Sequence, residues 1–194
     1  GTGMVGEARA EAQRTLDALL PYVRAGAAVV GLEPSCLLGL RDEFLVLKLG
    51  AGAQELAEAS VLFEEFIARE AAAGRFALDF RPLARTALLH GHCHQKAFGA
   101  MSSVAAALAL VPQLKVQPIE SSCCGMAGSF GYETAHQQVS MAMAEASLLP
   151  AVRAAPDDAL IVADGTSCRH QIADGAHREA LHVARVMAMA LPAA

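Results

Sequence analysis

The segment KVQPIESSCCGMAGSFGYE, from Lys115 to Glu133, decides how the rest of this 194-residue chain is interpreted. Its first five residues, Lys115–Ile119, have the pattern of a short strand, and two adjacent cysteines, Cys123 and Cys124, follow soon after the strand ends. Two neighbouring thiols before a glycine are compatible with a redox couple, a metal site or a buried patch of small residues. The surrounding sequence has to distinguish these three.

Three other predicted strands also run into cysteines. Ala27–Leu32 precedes Cys36, Thr86–His90 precedes Cys93, and Ala159–Ala163 precedes Cys168. Helical spacing is found between the strands at Glu7–Arg24, Val61–Ala72, Gln95–Leu110, Ala135–Ala154 and Arg178–Leu191. The alternation predicts an α/β fold of parallel strands flanked by helices. Because the carboxyl ends of such strands form the ligand crevice, the cysteines are expected to converge there.

A repeated heptapeptide divides the chain into two related halves. LLPYVRA at Leu19–Ala25 recurs as LLPAVRA at Leu148–Ala154, and in both copies the following strand ends in Pro-Ser-Cys or Thr-Ser-Cys. We predict a truncated first half over residues 5–80 and a second half over residues 81–194. The Gly-Thr-Gly-Met of residues 1–4 is interpreted as a cloning remnant, with the partner strand of the first half expected upstream.

Composition excludes several classes of protein. A hydrophobic content of 54% is incompatible with general disorder, and a net charge of −5 without a Lys/Arg cluster argues against nucleic-acid binding. The longest apolar runs fall far short of the roughly 20 residues that span a bilayer. No cleavable leader is recognisable, so the cysteines are interpreted against a reducing, cytoplasmic background.

The cysteines of the second half have the spacing of a metal site. Cys93, Cys123, Cys124 and Cys168 come from three loops, and adjacent side chains normally point apart, which favours a multinuclear centre. Thiolates select zinc, copper(I) or iron-sulfur centres, and the absence of a Cys-x-x-Cys clamp favours iron-sulfur. Gly125 permits a tight turn with amides directed at sulfur.

Other interpretations of the same residues stay open. His94 and His170 are candidates for further ligands or for capping roles, and Cys36 is either a ligand or a packed thiol. A structural zinc domain, an interaction domain with packed thiols, or a thiol-disulfide module at Cys123 and Cys124 are the alternatives to an iron-sulfur centre.

Three motifs together resemble a known domain. They are GHCHQKA at 91–97, SCCGMAGSFGY at 122–132 and ADGTSCRHQI at 163–172. In this order they resemble the cysteine-rich CCG domain, over about residues 15–190. Such domains occur at the C-terminus of FAD-linked oxidases of the glycolate oxidase and D-lactate or D-2-hydroxyglutarate dehydrogenase type, and in heterodisulfide reductase.

The resemblance implies electron transfer through a 4Fe-4S cluster, with Cys93, Cys123, Cys124 and Cys168 as its ligands and Cys36 as a remnant ligand of the first half. The family repeat often ends in Cys-Pro-x-Cys, but Gly165 and Glu33 replace the first cysteine of that pair here. Four thiolates suffice for one cubane, so we expect this rather than a five-thiolate noncubane cluster.

The resemblance also implies a larger oxidoreductase around the chain. Upstream flavin (FAD) and ferredoxin-like domains would oxidise a 2-hydroxy acid, and a downstream electron acceptor would receive the electrons. The parent protein is expected in the cytoplasm, with peripheral association at the inner face of the membrane as an open alternative. The isolated chain is expected to be inactive.

Overall fold

A computed structural model describes residues 3–192 of the chain. They form two compact units, one ending at Phe63 and the other beginning at Glu64. Every strand pairing in both units is parallel, and helices connect the strands. The α/β architecture predicted from the sequence is therefore confirmed. No helix within residues 3–192 has both the length and the apolar character that crossing a bilayer requires.

The first unit is built on a two-stranded sheet. Its elements are α1 (Val5–Arg24), β1 (Val29–Gly31), α2 (Pro34–Arg41), α3 (Glu43–Val46), α4 (Ala51–Ala59) and β2 (Ser60–Leu62). Strands β1 and β2 are paired with Val30 opposite Val61. Leu16 of α1 and Leu56 of α4 are the centre of a small apolar core. Burying these faces holds α1 against α4.

The second unit is built on a four-stranded sheet in the order β4-β3-β5-β6. Its elements, from α5 at the boundary onward, are α5 (Phe63–Ala72), β3 (Thr86–His90), α6 (Cys93–Ala97), α7 (Met101–Ala109), β4 (Lys115–Pro118), α8 (Gln137–Glu145), α9 (Leu148–Ala154), β5 (Leu160–Ala163), α10 (Thr166–Ala176), β6 (Ala180–Leu181) and α11 (Val183–Met189). Two short 3-10 turns, Phe130–Tyr132 and Thr134–His136, precede α8.

Strand β5 is the centre of this sheet. All four of its residues are apolar and buried, as expected of a parallel strand covered on both faces. Strand β4 lies at the edge, is largely exposed and ends at Pro118, a residue that edge strands tolerate because it donates no backbone hydrogen bond. Since β4, β3 and β5 run in the same direction, the loops that follow them emerge at one edge of the sheet.

Two predicted helices are interrupted, and two short strands lie where only helical spacing was predicted. The helix predicted over Gln95–Leu110 breaks between α6 and α7 at Gly99, whose φ of +68° is left-handed. The one predicted over Ala135–Ala154 is divided into a 3-10 turn, α8 and α9. Strands β2 and β6 have only three and two residues, too few for an alternating pattern to appear in the sequence.

Ile172 holds the helix that carries Cys168 against the core of the second unit. It is fully buried in α10, one helical turn beyond that cysteine. We expect Ile172→Ala to lower the free energy of unfolding by about 2–5 kcal/mol, because it leaves a cavity under α10. Asp174→Ala, on the exposed side of the same helix, should change it by less than about 0.5 kcal/mol. Urea denaturation followed by circular dichroism measures both, and equal effects would contradict this packing role.

Candidate metal centre

Four of the five cysteines lie at the carboxyl edge of the four-stranded sheet. Cys93 is the first residue of α6, just after β3, Cys123 and Cys124 are in the loop that follows β4, and Cys168 is in the first turn of α10, after β5. Cys36 lies on α2 in the first unit and is exposed. Neither of the two groups of metal-capable side chains found within residues 3–192 includes Cys36.

Cys124 and Cys168 form a buried sulfur pair. Their Sγ atoms are 3.3 Å apart, and the Cys168 thiol donates to Cys124. This donated hydrogen bond lowers the pKa of Cys124, and His90 and the Met126 amide act in the same direction. The pKa of Cys168 is raised because its thiol donates its proton in a hydrogen bond to the Cys124 sulfur, and burial adds to the effect. One proton is therefore shared between two sulfurs.

A histidine that was not selected from the sequence lies beside this pair. His90, the last residue of β3, is completely buried, and its Nδ1 is 2.8 Å from Ser121 Oγ. Within residues 3–192 its Nε2 makes no well-aligned hydrogen bond, although the ring lies near enough to Cys124 to lower the pKa of that thiol. One ligand atom from each of His90, Cys124 and Cys168 lies within 4.8 Å of the others. A buried, unpaired ring nitrogen beside two sulfurs fits a site that a metal would complete.

His90 could have been found from its position in the sequence. It closes the predicted strand Thr86–His90, and side chains at the carboxyl end of such a strand face the crevice. The two histidines chosen from the sequence instead follow cysteines closely, and neither belongs to a strand.

Cys93 and Cys123 form the more exposed part of the site. Burial raises the pKa of Cys93 to about 11, and its contact with Cys123 and the negative charges of Cys123 and Cys124 act in the same direction, while Lys96 opposes them. The Sγ of Cys93 is 3.9 Å from the Ser122 carbonyl oxygen. The adjacent cysteines thus meet different neighbours, Cys123 beside Cys93 and Cys124 beside Cys168.

The turn after the two cysteines requires glycine. Gly125 has a φ of +88°, and its amide donates to Cys123 Sγ at 3.2 Å. A Cβ atom at this position would lie 2.1 Å from the Ser140 carbonyl oxygen, which is backbone and cannot move aside. The Gly125 and Met126 amides point at the sulfurs of Cys123 and Cys124, respectively, where they stabilise negative charge.

Hydrogen bonds fix the loop that carries Cys93. His92 is the N-cap of α6: its Nδ1 accepts from the His94 amide at 3.2 Å, and its own amide donates to Gln95 Oε1 at 3.0 Å. The Gln95 Nε2 atom donates to Asp164 Oδ2 at 2.7 Å. Lys96 donates to the Ser121 and Ser122 carbonyl oxygens. The β3, β4 and β5 loops are therefore tied together by residues other than the cysteines.

The two histidines proposed from the sequence lie outside the buried group. His94 is on α6 with its ring edge-on to His92. Its Nδ1 is buried and has no hydrogen-bond partner in the part of the chain that the structure describes. His170 is exposed on α10, with Nδ1 2.6 Å from the Tyr132 hydroxyl. Their roles as further ligands stay predictions.

Gly165 stands where the family pattern often has a cysteine. Its φ of −68° is open to any residue, so its backbone imposes no need for glycine. A Cβ atom there would lie 2.4 Å from His92 Cδ2 and 3.2 Å from Cys168 Sγ. Because the His92 ring is buried and held as a helix cap, this position is closed to a fifth thiolate in the present arrangement.

Comparisons with known proteins relate the chain to dehydrogenases. It is 32% identical over 168 residues to D-2-hydroxyglutarate dehydrogenase of Escherichia coli K12, an alignment that covers 83% of the chain and 15% of that protein. The chain is similar to part of a dehydrogenase. It is also 26% identical over 190 residues to one of the subunits of the anaerobic glycerol-3-phosphate dehydrogenase from the same organism, covering 97% of the chain and 47% of that relative. The chain thus spans less than half of either relative. No protein-family model and no solved structure matches it.

The geometry of Gly125 makes it the most sensitive glycine of the turn. We expect Gly125→Ala to lower the free energy of unfolding by about 3 kcal/mol or more, because it combines a left-handed φ with overlap of Cβ and Ser140 O. Gly128→Ala is the matched control: Gly128 has a φ of +67° but open space around it, so only the backbone cost of about 1–2 kcal/mol applies. Equal losses in urea denaturation would show that the close approach to Ser140 is unimportant.

The overlap at Gly165 predicts a coupling between two positions. Gly165→Ala should cost about 1–3 kcal/mol through its contact with the His92 ring. His92→Asn retains a good N-cap side chain with less bulk, so the double variant should recover part of the Gly165→Ala loss. A double-mutant cycle of unfolding free energies measures this. Strict additivity of the two substitutions would contradict the steric explanation.

Proposed function

We propose that the second unit holds a 4Fe-4S cluster and carries electrons within a flavin-dependent 2-hydroxyacid oxidoreductase. The observation that carries this proposal is the arrangement of four thiols from three loops at one sheet edge, centred on the 3.3 Å contact between Cys124 and Cys168. Cys93, Cys123, Cys124 and Cys168 are the proposed ligands. When bound, such a cluster accepts and passes on single electrons.

The residues around the sulfurs support a negatively charged metal centre. The Gly125 amide donates to one sulfur and the Met126 amide to the next, so backbone dipoles stabilise negative charge on the sulfurs. The unpaired Nε2 of His90 faces the buried pair. We propose that His90 adjusts the potential of the centre by hydrogen bonding, with His94 and His170 farther out in the same role.

Metal uptake has to displace protons from these thiols. Burial is the main reason why the pKa of Cys93 is raised to about 11. The pKa of Cys168 is raised mainly by its hydrogen bond to Cys124. Since thiolates are the ligands, binding should release protons and become stronger as the pH rises.

The reaction of the whole oxidoreductase is proposed from the relatives and from the motifs. D-2-hydroxyglutarate is a 2-hydroxy acid, which supports this class of substrate. We propose that flavin (FAD) and ferredoxin-like domains lie upstream, that an electron acceptor lies downstream, and that the assembly works in the cytoplasm. The chain itself would then be two halves of a CCG domain, 5–80 and 81–194, with Cys36 as the remnant ligand of the first half.

A mononuclear zinc site is the second candidate. His90, Cys124 and Cys168 place three donors within 4.8 Å of one another, and a Cys₂His set with one further ligand suits tetrahedral zinc. In this case the site would be structural, and the chain would serve as a rigid domain of the same oxidoreductase.

Anaerobic reconstitution distinguishes the two candidates. We expect the chain, treated with iron and sulfide, to bind about four iron ions and to show the broad visible absorption of an iron-sulfur cluster. Single Ser substitutions of Cys93, Cys123, Cys124 and Cys168 should each reduce iron retention at least several-fold, whereas Cys36→Ser, which removes the exposed thiol of the first unit, should leave it unchanged. Binding of one zinc ion and no iron would establish the second candidate instead.

A further inference from the structure

A second buried polar group lies apart from the proposed sulfur ligands, within the second unit. Glu64 comes from α5, Asp164 follows β5 directly, and His182 precedes α11. One ligand atom from each lies within 4.8 Å of the others. The Glu64 and Asp164 residues are each only 1% exposed. None of the three was selected as a site residue from the sequence, and none is a proposed ligand of the metal centre.

The two carboxyl groups are unequally satisfied. Asp164 Oδ1 accepts from the Val183 amide at 3.0 Å, and Oδ2 accepts from Gln95 Nε2 at 2.7 Å. Glu64 Oε1 is buried and has no hydrogen-bond partner among residues 3–192. Two buried carboxylates side by side would both be charged only at a high cost in free energy, so something must neutralise one of them.

His182 is held in a form that neutralises neither carboxylate. Its Nδ1 accepts a hydrogen bond from the Ala184 amide at 3.0 Å, as the N-cap of α11, so this nitrogen carries a lone pair. The ring proton is therefore on Nε2, which lies 3.6 Å from Glu64 Oε1 and 3.4 Å from Asp164 Oδ1. A second ring proton on Nδ1 would face the Ala184 N–H, so the ring is not in its charged form. A metal ion could not bind Nε2 while this atom carries its proton.

We propose that Glu64, Asp164 and His182 form a proton-binding site in which Glu64 carries the proton at neutral pH. A proton on Glu64 accounts for the unpaired carboxyl oxygen and is compatible with the His182 tautomer. It also leaves only one negative charge on the two buried carboxyl groups. Burial raises the pKa of Glu64 to about 8, and the negative charges of Asp164 and of Glu65 on the same helix act in the same direction. Within residues 3–192, His182 also faces Glu64, with Nε2 3.6 Å from its Oε1.

The site is linked to the loop that carries Cys93 through Asp164. The carboxylate that neighbours Glu64 accepts from the Gln95 side chain, and Gln95 Oε1 in turn accepts the amide proton of His92, the N-cap of α6. Loss of the Glu64 proton places a second negative charge beside Asp164 and changes the strength of its bond to Gln95. The hydrogen bonding of the Gln95 side chain therefore depends on whether Glu64 is protonated.

The pH dependence of stability tests the site in the metal-free protein. The folded pKa of Glu64 lies above its ordinary value of 4.5, so the folded state binds this proton more tightly than the unfolded state does. The urea midpoint of the wild type should fall as the pH rises from about 4.5 to about 8. Glu64→Gln, which mimics the protonated side chain, should remove most of this fall. Glu65→Gln, the neighbouring control, should keep most of this fall, because the Glu65 charge is the smallest of the causes that raise the Glu64 pKa. Equal slopes in all three proteins would overturn the proposal.

Nuclear magnetic resonance gives a second measurement that does not require a variant to unfold cooperatively. The carboxyl ¹³C shift of Glu64 should indicate the protonated form at pH 7 and titrate with a midpoint near 8. The Gln95 side-chain amide should titrate with the same midpoint and become insensitive in Glu64→Gln. An ionised Glu64 at pH 7 would overturn the proposal.

A bound cation is the competing occupant. Mn²⁺, which prefers carboxylate to thiolate ligands, is the probe, and electron paramagnetic resonance measures its binding. Stoichiometric Mn²⁺ binding that is lost in Glu64→Gln would overturn the proposal and show that the group is a metal site. Absence of such binding would support the proposal that Glu64 holds a proton. These experiments use the metal-free chain, so they succeed or fail independently of the proposed iron-sulfur cluster.

Discussion

The parallel pairing of β3 with both β4 and β5 is the constraint on which the site depends. Leu88 of β3 lies opposite Gln117 on one side and Ile161 on the other, and this register aligns the carboxyl ends of three strands. Loops distant in sequence can then supply sulfur atoms to one place. The register of β5 against β3 sets where the strand ends at Ala163 and therefore where α10, which carries Cys168, begins.

The sequence was sufficient to predict features that depend on local pattern. Strand β3 has the bounds predicted for it, Thr86–His90, because an apolar strand and the glycine after it are visible in the sequence. The contact between His90 and Cys124 was not predictable in the same way, since the end of a strand places a histidine at the crevice but does not indicate which thiol it meets. The same holds for Glu64, which lies on a helix with other charged residues and meets Asp164 only through the tertiary fold.

Both buried polar groups of the second unit concentrate negative charge, and in both a proton limits it. Between Cys124 and Cys168 a thiol proton is shared by two sulfurs. Between Glu64 and Asp164 we propose the same arrangement with oxygen in place of sulfur. Gln95 donates to Asp164 of the carboxyl group and also holds the cap of α6, the helix that begins at Cys93. Polar residues thus connect the carboxyl group to the Cys93 loop, while apolar residues such as Ile161 and Ile172 fix the sheet and helices around them.

The close approach of His92 to Gly165 restricts the order in which substitutions can accumulate at this site. A cysteine gained at position 165 while His92 is present would introduce a clash before it could supply a ligand. Loss of His92 first would weaken the start of α6 while Gly165 remains. A lineage that moves between four and five thiolates therefore has to pass through a less stable intermediate sequence, or change both positions together. With the four cysteines of the second unit as the proposed ligands, this overlap opposes the gain of a fifth thiolate through a single substitution at position 165.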